Sequence, residues 1–259
     1  MGRPSGEALL DALEAGEVRV AEPAGEEGGW VVQAWVKEGI LEIFRSADVV
    51  EVGAERELWP FVDKEPFGVR HFDRESGVRL VPGGSSVRRG AFVGADCVLM
   101  PPCYVNVGAW VGSGTMIDSH ALVGSCAQVG ARVHISAAAQ IGGVLEPVGS
   151  RPVIVEDDVL VGGQSGVYEG VRVGARAVLG AGVILTATTR VYDLVEECEL
   201  SGTADAPLEI PPGAVVVTGT RPAKGDYARE HGLTQGCALI VKYRDASTDA
   251  RSALEDALR

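Results

Sequence analysis

Aromatic residues are scarce, only 5% of 259, so a core must be assembled from small and aliphatic side chains. The five cysteines (Cys97, Cys103, Cys126, Cys198, Cys237) include no Cys-x-x-Cys pair. That removes the usual zinc and dithiol motifs and predicts reduced, buried thiols in a cytoplasmic protein. Positive charge is in deficit: 23 basic residues against 36 acidic ones leave a formal net charge of -13, which disfavours nucleic acid as a partner. No apolar run approaches the ~18 residues of a membrane span, and no membrane association is expected. The stretch after Met1 is acidic and amphipathic and lacks the apolar centre of an export signal.

Glycine, by contrast, is abundant at 35 residues, without the every-third spacing of collagen. A different period is present. Steps of six from Val87 reach Val93, Leu99, Val105, Val111, Ile117, Val123, Val129, Ile135 and Ile141, all aliphatic. Four residues after each come Ala91, Cys97, Cys103, Ala109, Thr115, Ala121, Ala127, Val133 and Ala139, all small or β-branched. Glycine often follows the aliphatic residue directly, as at Gly112, Gly124, Gly130 and Gly162. The register breaks at Glu146–Pro152 and resumes at Val155, Val161, Val167, Val173, Leu179, Leu185 and Val191, then at Ile210 and Val216.

Neither a helical period nor strand alternation explains this pattern. A hexapeptide unit does: a short strand, then a turn eased by glycine, with three units closing one triangular coil and stacked coils burying the aliphatic column. The fold class is mainly β, a left-handed parallel β-helix over residues 79–219. Residues 1–78 form a small, largely helical N-terminal domain, with a helix near Glu7–Gly16 and an apolar segment from Trp30 to Phe44. Residues 220–259 form a C-terminal extension with a strand at Cys237–Lys242 and a helix at Ser247–Leu258. The acidic stretch Asp193–Pro207 is expected to be a loop, and Glu146–Pro152 a flexible flap.

Several segments carry more than the bare repeat: Tyr104–Ala109, Gly114-Thr115-Met116-Ile117-Asp118, Val123–Gly130, Val133–Ser136, Ile141–Pro147 and Val153–Asp157. In these, and in Trp30–Arg45 and Cys237–Val241, the chain resembles the tetrahydrodipicolinate N-succinyltransferase family. The resemblance implies a cytoplasmic homotrimer of lysine and diaminopimelate biosynthesis, with active sites in grooves between neighbouring solenoids. It implies a succinyl group moved from succinyl-CoA, a co-substrate, to the amine of ring-opened tetrahydrodipicolinate, a dicarboxylate. No permanently bound cofactor and no metal are implied.

Asp118 stands where many repeats place glycine. From the repeat alone it could be a solvated turn residue; in the family, the matching aspartate is linked to substrate binding and catalysis, and a carboxylate there suits an ammonium and its proton. His134 is the second catalytic candidate, one coil later and approaching the same corner, although a lone histidine is more often structural. Arg79 matches a substrate arginine, whose forked guanidinium suits a carboxylate. Arg88 and Arg89 are weaker candidates. Lys224, Gly143 and Gly162 are assigned to the CoA thioester, Lys224 with surface solvation as its plain alternative. One departure stands out: many members carry a functionally important glutamate where this chain has Gly166. A two-carboxylate mechanism therefore does not carry over whole, and nearby Glu169 matches a different family glutamate.

Three rival readings remain. A γ-type carbonic anhydrase needs three histidines around zinc, whereas only His120 and His134 lie within the solenoid. A non-catalytic scaffold would leave Asp118 without a purpose. An acetyltransferase acting on the same acceptor differs only in the acyl group.

Overall fold

The computed structural model describes residues 2–25, 29–52, 61–203 and 205–245. The repeat winds into a left-handed parallel β-helix with three faces. Face one stacks Arg79–Leu80, Val98–Leu99, Met116–Ile117, His134–Ile135, Leu160–Val161 and Val178–Leu179 onto the longer strand Ala214–Pro222. Face two runs from Ser86–Val87 through Tyr104–Val105, Leu122–Val123, Gln140–Ile141 and Gly166–Val167 to Ile184–Leu185. Face three runs from Phe92–Val93 through Trp110–Val111, Gln128–Val129, Ile154–Val155 and Arg172–Val173 to Glu209–Ile210.

Every residue of the aliphatic column from Val87 to Ile141 is buried, as is every residue of the small column from Ala91 to Ala139. Both columns join one continuous core, and each fully buried aliphatic side chain contributes roughly 1.5–3 kcal/mol. The turns do not use glycine as expected. Left-handed backbone falls three residues after the aliphatic position, at His120, Arg132, Ala138 and Gln164 as well as at Gly108 and Gly114. Glycine directly after the aliphatic residue serves coil-to-coil approach instead. A Cβ on Gly112 would lie 2.6 Å from the Ala131 nitrogen, and one on Gly130 would lie 2.6 Å from the Asp157 nitrogen.

Among the described residues of 1–78, short strands accompany the helices. Helix α1 (Glu7–Glu14) and helix α2 (Ala34–Ser46) are separated by the antiparallel pair Ala21–Pro23 with Trp30–Val32, and a second pair, Val49–Val52 with Phe61–Lys64, follows α2. Leu9, Leu10, Leu13, Val36, Ile40 and Ile43 form a second core that takes in Val107 and Cys126 from the solenoid. Arg88 and Arg89 fasten this union. Arg88 grips both oxygens of Asp63 at 2.7 and 2.6 Å, and Arg89 pairs with Asp11 and Glu14.

Two loops are not loose. Asp193–Pro207 begins in a hairpin, Val191–Asp193 against Cys198–Leu200. Buried Asp193 organises it by accepting hydrogen bonds from the Val195 and Glu196 amides and from the Tyr243 hydroxyl. Val191 thereby pairs with the C-terminal strand Thr234–Tyr243 instead of continuing face three. The Glu146–Pro152 insertion is tethered as well. Leu145 packs into the N-terminal core, buried Lys37 donates to Ser150 O at 2.7 Å, and Arg151 donates to Gly170 O at 2.8 Å.

Among the cysteines, Cys198 is exposed, against expectation, and the other four are buried. The proposed helix at Ser247–Leu258 lies outside the described residues. No helix among the described residues is long and apolar enough to cross a membrane.

Candidate active site

Asp118 occupies the edge where face one turns into face two. Its backbone N–H donates to Ile135 O at 2.9 Å and its carbonyl accepts from the Ala121 amide at 3.2 Å, so the coil fixes its main chain without the side chain. One carboxylate oxygen accepts from the Ser119 amide at 2.8 Å. The side chain is half-buried and faces away from the core column. Next to its turn, a shallow cavity of about 270 Å³ is lined by Ser86, Pro102, Cys103, Tyr104, His120 and Leu122, among others. Burial pushes the Cys103 thiol above its ordinary range, and the Asp118 charge adds to that shift.

His134 shares face one with Asp118 but not its corner. It pairs with Met116, while the chain directly beyond Asp118 in the next coil is Ser136. Two residues along the strand and one coil across separate the pair by roughly 8 Å between Cα atoms. The expectation that both reach one corner fails, because each strand is only two residues long and its ends meet different edges.

Arg79 lies on the same face, exposed, on the terminal strand two coils before Asp118. Gly162 joins the Asp118 edge two coils further on, its amide donating to Leu179 O at 2.8 Å. A Cβ there would lie 2.5 Å from the Ala181 nitrogen, so coil packing by itself requires this glycine. Gly143 sits on another edge, after the face-two strand Gln140–Ile141, where a Cβ would lie 2.6 Å from the Ser125 nitrogen. Lys224 is exposed beyond Pro222, in the connection between Ala214–Pro222 and Thr234–Tyr243. A single chain thus gathers Arg79, Asp118, His134 and Gly162 along one face and its edge, and leaves Gly143 and Lys224 apart from them.

At the departure noted in the sequence, Gly166 is overlaid by a neighbour: a Cβ on it would lie 2.7 Å from both Cζ and Oη of Tyr168. Glu169 is committed elsewhere, accepting from the Ala187 amide at 3.1 Å. A larger cavity, about 590 Å³, opens on face three between the first hairpin and the solenoid. There Phe92 stacks on Trp110 at 3.9 Å, and the Arg19 guanidinium lies 4.2 Å from the Trp110 ring and 5.0 Å from that of Trp30. Burial lowers the Arg19 pKa to about 10. This stack locks the hairpin onto the solenoid, and sequence reasoning missed it. Among the described residues, no group of three or more His, Cys, Asp or Glu side chains could hold a metal ion.

Comparison with known proteins matches residues 6–45 to the family model described as the N-terminal region of tetrahydrodipicolinate N-succinyltransferase. Residues 152–187 match the hexapeptide repeat of succinyl-transferase. A Xylella fastidiosa protein named 2,3,4,5-tetrahydropyridine-2,6-dicarboxylate N-succinyltransferase is 44% identical over 99% of this chain and 88% of its own length. A Nitrobacter hamburgensis protein of the same name is 43% identical over 96% of this chain and 87% of its own. Among solved structures, a hexapeptide transferase family protein from Anaplasma phagocytophilum aligns at 14% identity and a TM-score of 0.48, over 71% of this chain and 85% of its own.

Proposed function

The chain belongs to the tetrahydrodipicolinate N-succinyltransferase family, and from that membership we propose that it transfers a succinyl group from succinyl-CoA to the amine of ring-opened tetrahydrodipicolinate. The observation carrying this reading is identity of 44% along 99% of the chain to an enzyme of that name. Lysine and diaminopimelate biosynthesis in the cytoplasm is the corresponding setting.

The chemistry requires a neutral amine. The nitrogen attacks the thioester carbonyl, the new C–N bond forms, and the C–S bond breaks as the tetrahedral intermediate collapses. The proton lost by nitrogen ends on the CoA thiolate. In this reading Asp118 holds the ammonium and takes its first proton, which passes on to solvent and leaves the neutral amine to attack. His134 is the alternative base. Arg79 is a forked partner for an acceptor carboxylate, and Gly143, Gly162 and Lys224 are assigned to the CoA thioester. A release assay for the CoA thiol tests the reading: release should require both succinyl-CoA and the acceptor, and acceptor-independent or absent release would contradict it.

The functional unit we propose is a homotrimer, because the candidate residues are divided between different edges of one solenoid and a groove between solenoids would reunite them. Sedimentation should give a trimer, with dilution to monomer abolishing turnover. A fully active monomer would overturn the shared-groove arrangement.

A further inference from the structure

Tyr168 follows Val167, the inward aliphatic residue of its strand, at a position where this repeat often has glycine. Its ring lies against the outside of face two. A Cβ on Gly142, in the preceding coil, would lie 2.7 Å from Tyr168 Cδ1, and a Cβ on Gly166 would lie 2.7 Å from Cζ and from Oη. Two glycines from adjacent coils thus leave room for one ring, and neither has the left-handed backbone that would independently call for glycine. The ring is half-buried, and among the described residues the hydroxyl has no hydrogen bond. Two other tyrosines behave differently: Tyr104 bonds Asn106 at 3.2 Å and Tyr243 bonds Asp193 at 2.6 Å.

The hydroxyl also points the right way along the face. Gly166 opens its strand directly after the edge that carries Asp118 and Gly162, so a ring reaching back from 168 to 166 carries its oxygen toward that edge. Gln140, paired with Gly166 across the coils, donates to His120 O at 3.3 Å. Gln140 thereby links the turn after Asp118 to the strand that Gly166 opens.

We propose that the Tyr168 hydroxyl is a substrate-binding group, hydrogen-bonded to the acyl acceptor, and that Gly166 is glycine so that this phenol can occupy the space its own side chain would take. The proposal rests on the acyltransferase reading above. It gives the chain a hydrogen-bonding group in the space over Gly166.

Tyr168→Phe keeps the ring over both glycines and removes only the oxygen. The thermal transition should stay put, while kcat/KM for the acceptor falls at least tenfold and KM for succinyl-CoA stays within twofold, as expected for a lost hydrogen bond to a charged substrate. A second pair of variants tests the shared space. Tyr168→Val should lose activity as Phe does, and Gly166→Glu combined with Tyr168→Val should regain at least tenfold over Tyr168→Val alone, because a long polar side chain can then reach the vacated position. Unchanged acceptor kinetics in Tyr168→Phe, a loss shared equally by both substrates, or no recovery in the double variant would each overturn the proposal. Failure of the wild-type protein to turn over would instead overturn the acyltransferase reading itself.

Discussion

Replacing Asp118 by Asn should leave the melting temperature within experimental scatter of the parent and lower kcat/KM for the acceptor by roughly 10²-fold or more, the scale of a lost general base. Stability is spared for structural reasons. The coil holds residue 118 through its backbone, by the bonds to Ile135 and Ala121. An asparagine oxygen can still accept from the Ser119 amide, and no buried apolar contact is removed. What disappears is the charge that would hold an ammonium and take its proton. Affinity for CoA should be unaffected, since a carboxylate offers nothing favourable to a phosphate. A folded variant with near-native turnover would remove Asp118 from the mechanism and make His134 the first residue to test.

Gly162→Ala should have a large effect on stability. The added methyl would lie 2.5 Å from the Ala181 nitrogen and 2.6 Å from Leu179 O, backbone atoms of the next coil, and that carbonyl already accepts the Gly162 amide. No rotamer change can relieve a clash between main chains. The coils must separate locally, at a cost of roughly 3 kcal/mol, equivalent to a drop of about 6–12 °C in Tm for a chain of this size. Gly149→Ala is the matched control, because its methyl would meet nothing within 4 Å, and its Tm should barely move. If Gly162→Ala instead kept its Tm and raised only the KM for succinyl-CoA, the residue would be a donor contact first and a packing requirement second.

The solenoid was legible because its period is local. Each inward residue sits six positions from the next, and burial of the whole column follows from that spacing. The role of glycine was harder to read: Gly112 and Gly130 answer to backbone in the following coil, a contact that the hexapeptide itself does not contain. The N-terminal hairpins were missed for a related reason. Ala21–Pro23 and Trp30–Val32 are three residues each, too short for alternation to show, and their attachment relies on Arg19 meeting Trp110 far along the chain. Asp193 looked like part of a solvated loop because its hydrogen-bonding partner Tyr243 is fifty positions away.

The site was half legible. A non-glycine residue directly after an inward aliphatic one drew attention to Asp118, and the same signal was available at Tyr168. It passed unnoticed because the sequence shows the missing side chain at Gly166 but not the ring folded back over it. The geometry of His134 was misjudged by the width of one two-residue strand. That error reassigns it to a different edge while leaving it on the same face.

Donor competition decides the identity of the transferred group. The acceptor is incubated with equal concentrations of succinyl-CoA and acetyl-CoA, and the product is identified by mass. The product should gain a succinyl group almost exclusively. An acetylated product in excess would contradict succinyl transfer and assign the chain to acetyl transfer on the same acceptor.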